Sequence, residues 1–303
     1  MHSRLEPWQA ELFLRADRPS GQTRVRKLHA KGPLQIQKIL YPEGAGIAHT
    51  FVLHPPSGIA QDDQLRIEIS ASEASHSVYA TPGATRWYRS FPDAIKPAQQ
   101  SVLLKVSQES SIEWLPHENL YFNQAWAQNS LEVRLEPSCR LLGWDLHQFG
   151  RTSCNEPWVD GRAQTMLSFY LSNKLLWTER THWNSVHMAS NDDHHQMAGY
   201  SITGSLWAFG PKLNEKAYEA LATSLPFEPS CVAGVSQLVV PSSNKALRTG
   251  PQTGEHTQEE ALLVMRLLSN NPEKARAVCE QTRAFLRPLI MDTAGSNLRI
   301  WAT

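Results

Sequence analysis

The chain reads as a mainly β protein, a body of packed sheets with two or three short helices, mostly near the C-terminus. Apolar and polar residues alternate along Leu65-Arg66-Ile67-Glu68-Ile69-Ser70 and Leu131-Glu132-Val133-Arg134-Leu135-Glu136, and nearly so along Val102 to Ser107. A period of two puts one strand face on a core and the other in water. Turn clusters such as Pro42-Glu43-Gly44, Pro55-Pro56-Ser57-Gly58, Pro82-Gly83 and Ser172-Asn173-Lys174 punctuate these runs. Helical signals gather only after Asn214.

Taken in order, Arg24, Arg26 and Lys27 fit an amphipathic strand edge rather than a nucleic-acid patch. The segments His54–Leu65 and Thr81–Ser90 form two Pro/Gly-rich elbows around a strand-like run and carry acids, hydroxyls and arginines. Such elbows fix polar side chains on a rigid scaffold. Asn214 to Leu221 has good helix formers. Thr257-Gln258-Glu259-Glu260 fits a capping box and opens the apolar run Ala261 to Leu268, which is therefore expected to be helical. Asn271-Pro272 then caps a helix carrying Ala275, Val278, Cys279, Thr282, Phe285 and Leu286 on one face, which Pro288 is expected to stop. Residues 241–256 read as a loop. A single domain over 1–303 follows, with a β body at about 20–240 and a helical appendage at about 257–290. No fixed-period repeat is visible.

Bulk composition narrows the function. Lys+Arg and Asp+Glu both number 29, so no global field draws the chain to nucleic acid or an anionic membrane. Cys139, Cys154, Cys231 and Cys279 lack the short spacings of a disulfide framework or a structural zinc site. Arg4, Glu6, Glu11 and Arg15 interrupt any signal-peptide core, and no apolar run approaches the ~20 residues that span a bilayer. The expectation is a cytoplasmic protein.

The chemical motifs are sparse. No Gly-x-Ser-x-Gly elbow, His-Glu-x-x-His helix or Walker loop is present, so the chain is not expected to be an enzyme. Glu113, Glu118, Asp145 and Glu179 offer a carboxylate pair for glycoside hydrolysis, and ten tryptophans invite a carbohydrate-binding alternative. Acids recurring on alternating strands are more often a solvated sheet face, and Trp114, Trp144, Trp158, Trp177 and Trp207 sit in apolar runs suited to core packing. His182, His187, His194 and His195, with Asp192 and Asp193, could hold a divalent metal, but their spacing matches no helical or hairpin ligand pair.

An ordered set of segments carries a resemblance. Lys31-Gly32-Pro33-Leu34-Gln35-Ile36-Gln37-Lys38 leads to Tyr41-Pro42-Glu43-Gly44 and His54-Pro55-Pro56-Ser57-Gly58-Ile59 with Asp63-Gln64-Leu65. Thr81-Pro82-Gly83-Ala84-Thr85-Arg86-Trp87-Tyr88-Arg89-Ser90 and Glu113-Trp114-Leu115-Pro116-His117-Glu118 follow. Leu142-Gly143-Trp144-Asp145, Gly150-Arg151, Gly161-Arg162 and the terminal Arg299-Ile300-Trp301-Ala302-Thr303 complete the series. In this order, from about Gly21 onward, they resemble the UreD (also called UreH) family of urease accessory proteins. Here Ser57, Gln61 and Asp62 replace family glycines, Pro116-His117-Glu118 stands for Pro-Gln-Glu, and Asn155-Glu156 stands for Gly-Glu. Losing glycine restricts the backbone of the first elbow.

The resemblance implies a fold of stacked, helically wound strands and a non-enzymatic nickel-insertion chaperone. It implies binding to urease apoprotein and to a UreF-type helical protein, through which a UreG-type GTPase docks. It further implies a polar tunnel and no permanently bound cofactor, only transient Ni2+. On that basis Asp63, Glu118, Asp145 and Glu179 are expected on a transient nickel path. Thr85, Arg89, Ser90 and Glu113 are expected at the tunnel or an interface, and Arg299, Ile300 and Trp301 at a partner. Isolated carboxylates and hydroxyls suit the role, because they exchange a metal that cysteine clusters would trap.

Overall fold

A computed structural model describes residues 7–185, 197–240, 259–295 and 298. Most of the chain winds as a coil of strands. Ile47–Leu53, Gly58–Ile59 and Gln64–Ala71 make one turn; His76–Ala80, Thr85–Trp87 and Ala98–Val106 make the next. Ser111–Leu115, Asn119–Tyr121 and Trp126–Leu135 make a third, and Arg140–Phe149 with Arg162–Leu171 begin a fourth. Equivalent strands of successive turns pair in parallel, which gives two large sheets and a short third face. Gln64, Gln99, Gln128 and Gln164 stand in one register row, so the turns are unequal in length. That inequality is why no period shows in the sequence.

The seven-stranded sheet runs in the order Lys174–Asn184, Arg162–Leu171, Trp126–Leu135, Ala98–Val106, Gln64–Ala71, Gln9–Asp17, Arg24–Lys31. The second sheet runs along Phe227–Glu228, Cys231–Val239, Glu260–Ser269, Ile202–Pro211, Arg140–Phe149, Ser111–Leu115, His76–Ala80, Ile47–Leu53, Gln35–Ile36. Each predicted alternating run lies in a strand whose buried residues also alternate, as along Gln64–Ala71 and Trp126–Leu135.

One expected helix is a strand. Ala261 to Leu268 belongs to Glu260–Ser269, between Ile202–Pro211 and Cys231–Val239. Leu262 and Val264 pack between the sheets, whereas Leu263, Met265 and Leu267 face the helical layer. A strand covered on both faces reads as a continuous apolar run and loses its period of two.

Two helices complete the described fold. Helix α1, Glu215–Ser224, is capped by Asn214, whose side chain accepts from Ala217 N. Helix α2, Pro272–Ile290, is capped by Asn271 Oδ1, which accepts from Lys274 N at 2.9 Å, with Pro272 at its start. Pro288 does not end α2: the helix runs to Ile290, and Met291 N closes the last turn on Arg287 O at 2.8 Å. A proline this near the end forfeits only a single helical bond. Helix α2 lies on Ile202–Pro211, Arg140–Phe149 and Glu260–Ser269, and so adds a third layer to the two sheets.

Trp114, Trp144, Trp158 and Trp207 are buried, as the packing reading expects. On the short face, Trp87, Tyr121 and Phe149 stack from turn to turn at centroid distances of 5.6 and 5.0 Å. None of the four cysteines is in a disulfide; Cys139, Cys231 and Cys279 are buried, where burial pushes each thiol up.

Candidate functional site

Asp145, Ser205 and Arg266 stand in one row across three adjacent strands of the second sheet. Residues in a row share a sheet face. Asn129, Thr165 and Thr181 form a comparable row in the first sheet. Between the sheets, at the end nearest Lys174–Asn184, lies a cleft of about 480 Å³. Asp145, His147, Thr165, Glu179, Ser205 and Arg266 line it.

Asp145 is held on both oxygens. Asn119 Nδ2 donates to Oδ1 at 2.7 Å and Asn129 Nδ2 to Oδ2 at 3.2 Å. His147 Nε2 stands 3.4 Å from Oδ2. The alternation of Arg140–Phe149 sets this up, since Asp145 and His147 lie two residues apart on one face. Tyr121 Oη is 3.1 Å from His147 Nδ1. Burial, then the nearby Asp145 charge, pushes the Tyr121 phenol well above its ordinary value. The phenol therefore stays neutral and can either donate to Nδ1 or accept from it.

Glu179 comes from the edge strand of the other sheet. Its Oε1 accepts from Trp177 Nε1 at 3.0 Å, Arg266 Nε at 3.0 Å and Arg266 Nη2 at 2.7 Å. Its Oε2 has no hydrogen bond among the described residues.

A second cavity, of about 260 Å³, is lined in part by His54, Ser57, Thr85, Arg86 and Gln100. His54 Nε2 is buried there without a hydrogen-bond partner among the described residues, and burial lowers the pKa of its ring. Gln100 Nε2 donates to Asn129 Oδ1 at 3.4 Å, and Asn129 donates in turn to Asp145. Two side-chain amides thus link the second cavity to the carboxylate of the first.

The sequence matches the family model described as UreD urease accessory protein over residues 9–302. The chain belongs to the UreD urease accessory protein family. It is 37% identical over 299 residues to the urease accessory protein UreD of Ralstonia nicotianae, covering 98% of this chain and 94% of that one. It is 38% identical over 309 residues to its counterpart from Delftia acidovorans, covering 98% and 95%. Against UreD of Bordetella pertussis it is 34% identical over 307 residues, with both chains covered in full.

Of the residues singled out in this UreD-family sequence, the fold brings Asp145 and Glu179 to one cleft and places Thr85 at the second cavity. The others are engaged elsewhere. Asp63 is buried and accepts from Trp8 N at 2.7 Å and Ala60 N at 2.9 Å, bracing the first elbow. Burial raises its carboxyl pKa against those two bonds. Ser90 Oγ accepts from Trp126 N at 3.2 Å, and the Arg89 guanidinium lies over the Phe91 ring.

Glu113 and Glu118 face helix α2 instead of the cleft. Arg283 Nε donates to Glu113 Oε2 at 2.8 Å, and Arg276 Nη2 to Glu118 Oε2 at 2.5 Å. Burial would raise the Glu118 pKa, but bonds from His117 and Arg276 hold it at about 2. The glycosidase alternative loses two of its four carboxylates to these pairs.

Arg299, Ile300, Trp301, His187, His194 and His195 lie outside the described residues, and His182 pairs with Gln164 on the edge strand. Among the described residues, no group of three or more His, Cys, Asp or Glu could hold a metal ion, and no helix is long and apolar enough to cross a membrane.

Sequence reasoning missed His147, Asn119, Asn129 and Arg266. Two of them left a trace: Asp145-Leu146-His147 has strand spacing, and Arg266 is the lone charge in the run Ala261 to Leu268.

Proposed function

We propose that this chain is a non-enzymatic scaffold of urease maturation, with nickel as its cargo. On this reading it binds urease apoprotein and a UreF-type helical protein, a UreG-type GTPase docks through the latter, and Ni2+ passes along the cleft between the sheets. The observation that carries the proposal is the meeting of Asp145, His147 and Glu179, from both sheets, around a polar space of about 480 Å³.

The donor chemistry supports transfer over storage. Carboxylate oxygens and an imidazole take nickel, but without thiolates they release it readily. The buried thiols of Cys139, Cys231 and Cys279 are not among the residues lining the cleft. The Gln100–Asn129 link extends the polar lining toward Thr85 and His54, which supplies a second imidazole. Asn119 and Asn129 hold the Asp145 carboxylate in place.

The test is restoration of ureolysis in cells that carry urease and the other accessory proteins but lack this one. The parent chain restores activity. Asp145→Ala and Glu179→Ala lower it while still co-purifying with the partners. Full activity in both variants would exclude the cleft as the route.

A further inference from the structure

We infer that Arg266 is a competing cation built into the cleft, which occupies Glu179 and sets how tightly a divalent ion is held there. The inference rests on the reading of the cleft as the nickel route. Arg266 projects from the second sheet and Glu179 from the first, so their ion pair bridges the cleft. Both Nε and Nη2 converge on Oε1, which Trp177 Nε1 also engages, so that oxygen is saturated with donors.

A guanidinium stays charged at any physiological pH, so the competition is permanent and not switched by protonation. It is also easily displaced. The Arg266 side chain is 61% exposed, and exposed ion pairs are weak. Its guanidinium lies over the Trp177 ring, 5.6 Å from the centroid, which gives it a resting place when the carboxylate is taken. A cation arriving at Glu179 displaces Arg266, and the returning arginine helps to expel it. Arg266 also shares a row with Asp145, with Ser205 between them, so its charge disfavours a cation held between the two carboxylates.

This competition is measured by titrating the full-length chain with NiCl2. Arg266→Gln tightens Ni2+ binding by about 3–5-fold, the upper end of what is expected when a weak exposed ion pair stops competing. Arg266→Lys keeps the charge and stays within about twofold of the parent, because a point charge still competes. Arg266→Gln combined with Glu179→Gln loses the gain. In cells, Arg266→Gln slows the onset of ureolysis at limiting nickel, because the ion is retained. Melting temperature checks that each variant is folded. If Arg266→Gln leaves Ni2+ affinity unchanged while Asp145→Ala weakens it, the role of Arg266 is overturned and the cleft survives as the route. If neither variant alters Ni2+ binding, both readings fail.

Discussion

Arg287 Nε donates to Glu113 Oε1 at 2.9 Å, and neither side chain is exposed to solvent. The pair is the centre of a ladder that seats helix α2. Arg276, Arg283 and Arg287 share one helix face and meet Glu118, Glu113 and Glu43. His76 and His49 complete the lining, at 2.9 Å from Glu113 and 2.7 Å from Glu43. Removing the central carboxylate takes a buried partner from both Arg283 and Arg287, although Arg287 keeps Glu43. Glu113→Ala therefore costs about 3–5 kcal/mol, read as a fall in the urea midpoint.

The same ladder sets acid stability. Glu43 and Glu118 are each held at about 2 against an ordinary 4.5, since their arginine and histidine partners outweigh burial. Glu113 is likewise held well below the usual carboxylate range, against burial, by Arg283, His76 and Arg287. Depressed folded values mean the stabilisation is complete above about 4.5 and is lost as pH falls toward 2. Urea unfolding at a series of pH values should show stability dropping across that window. Glu118→Gln flattens the slope.

The first elbow should accept its glycine back. Ser57 sits at φ 61° and Asp62 at φ 64°, the left-handed region that glycine enters without strain. For Ser57→Gly, relief of about 1–2 kcal/mol is offset by about 0.5–1 kcal/mol of added unfolded-state freedom. A net gain of about 0.5 kcal/mol is expected in thermal unfolding. Gly58 is the opposite case: a Cβ there would sit 2.3 Å from the Tyr88 ring, so Gly58→Ala destabilises.

Gly143 leaves room for Trp207 and Trp114, its register partners on the two neighbouring strands of the second sheet. A Cβ at this position would lie 2.4 Å from the Trp207 ring and 2.6 Å from the Trp114 carbonyl. Gly143→Ala should lower stability by about 1–3 kcal/mol, the usual cost of overpacking. Calorimetric melting of the variant checks this.

Strand and turn signals were local, so the β class, the helix near Asn214 and the cap at Asn271 were legible in the sequence. The strand Glu260–Ser269 was not, because burial on both faces erased its alternation. The site was half legible. Asp145 and Glu179 could be named as acids, but nothing local says that sheets folded from distant segments bring them together. Glu113 and Glu118 looked equivalent to those two. Their arginines lie some 160–170 positions away on α2, and that pairing is a property of the topology alone.

The central claim is that nickel reaches urease through the cleft. The direct measurement is the nickel content per urease active site after maturation with Ser205→Trp, which fills the cleft from the middle of the Asp145–Ser205–Arg266 row. Complex formation and melting temperature are checked in parallel. The account predicts assembled complexes that leave urease largely nickel-free. Nickel loading equal to the parent, with the indole in place, would contradict it.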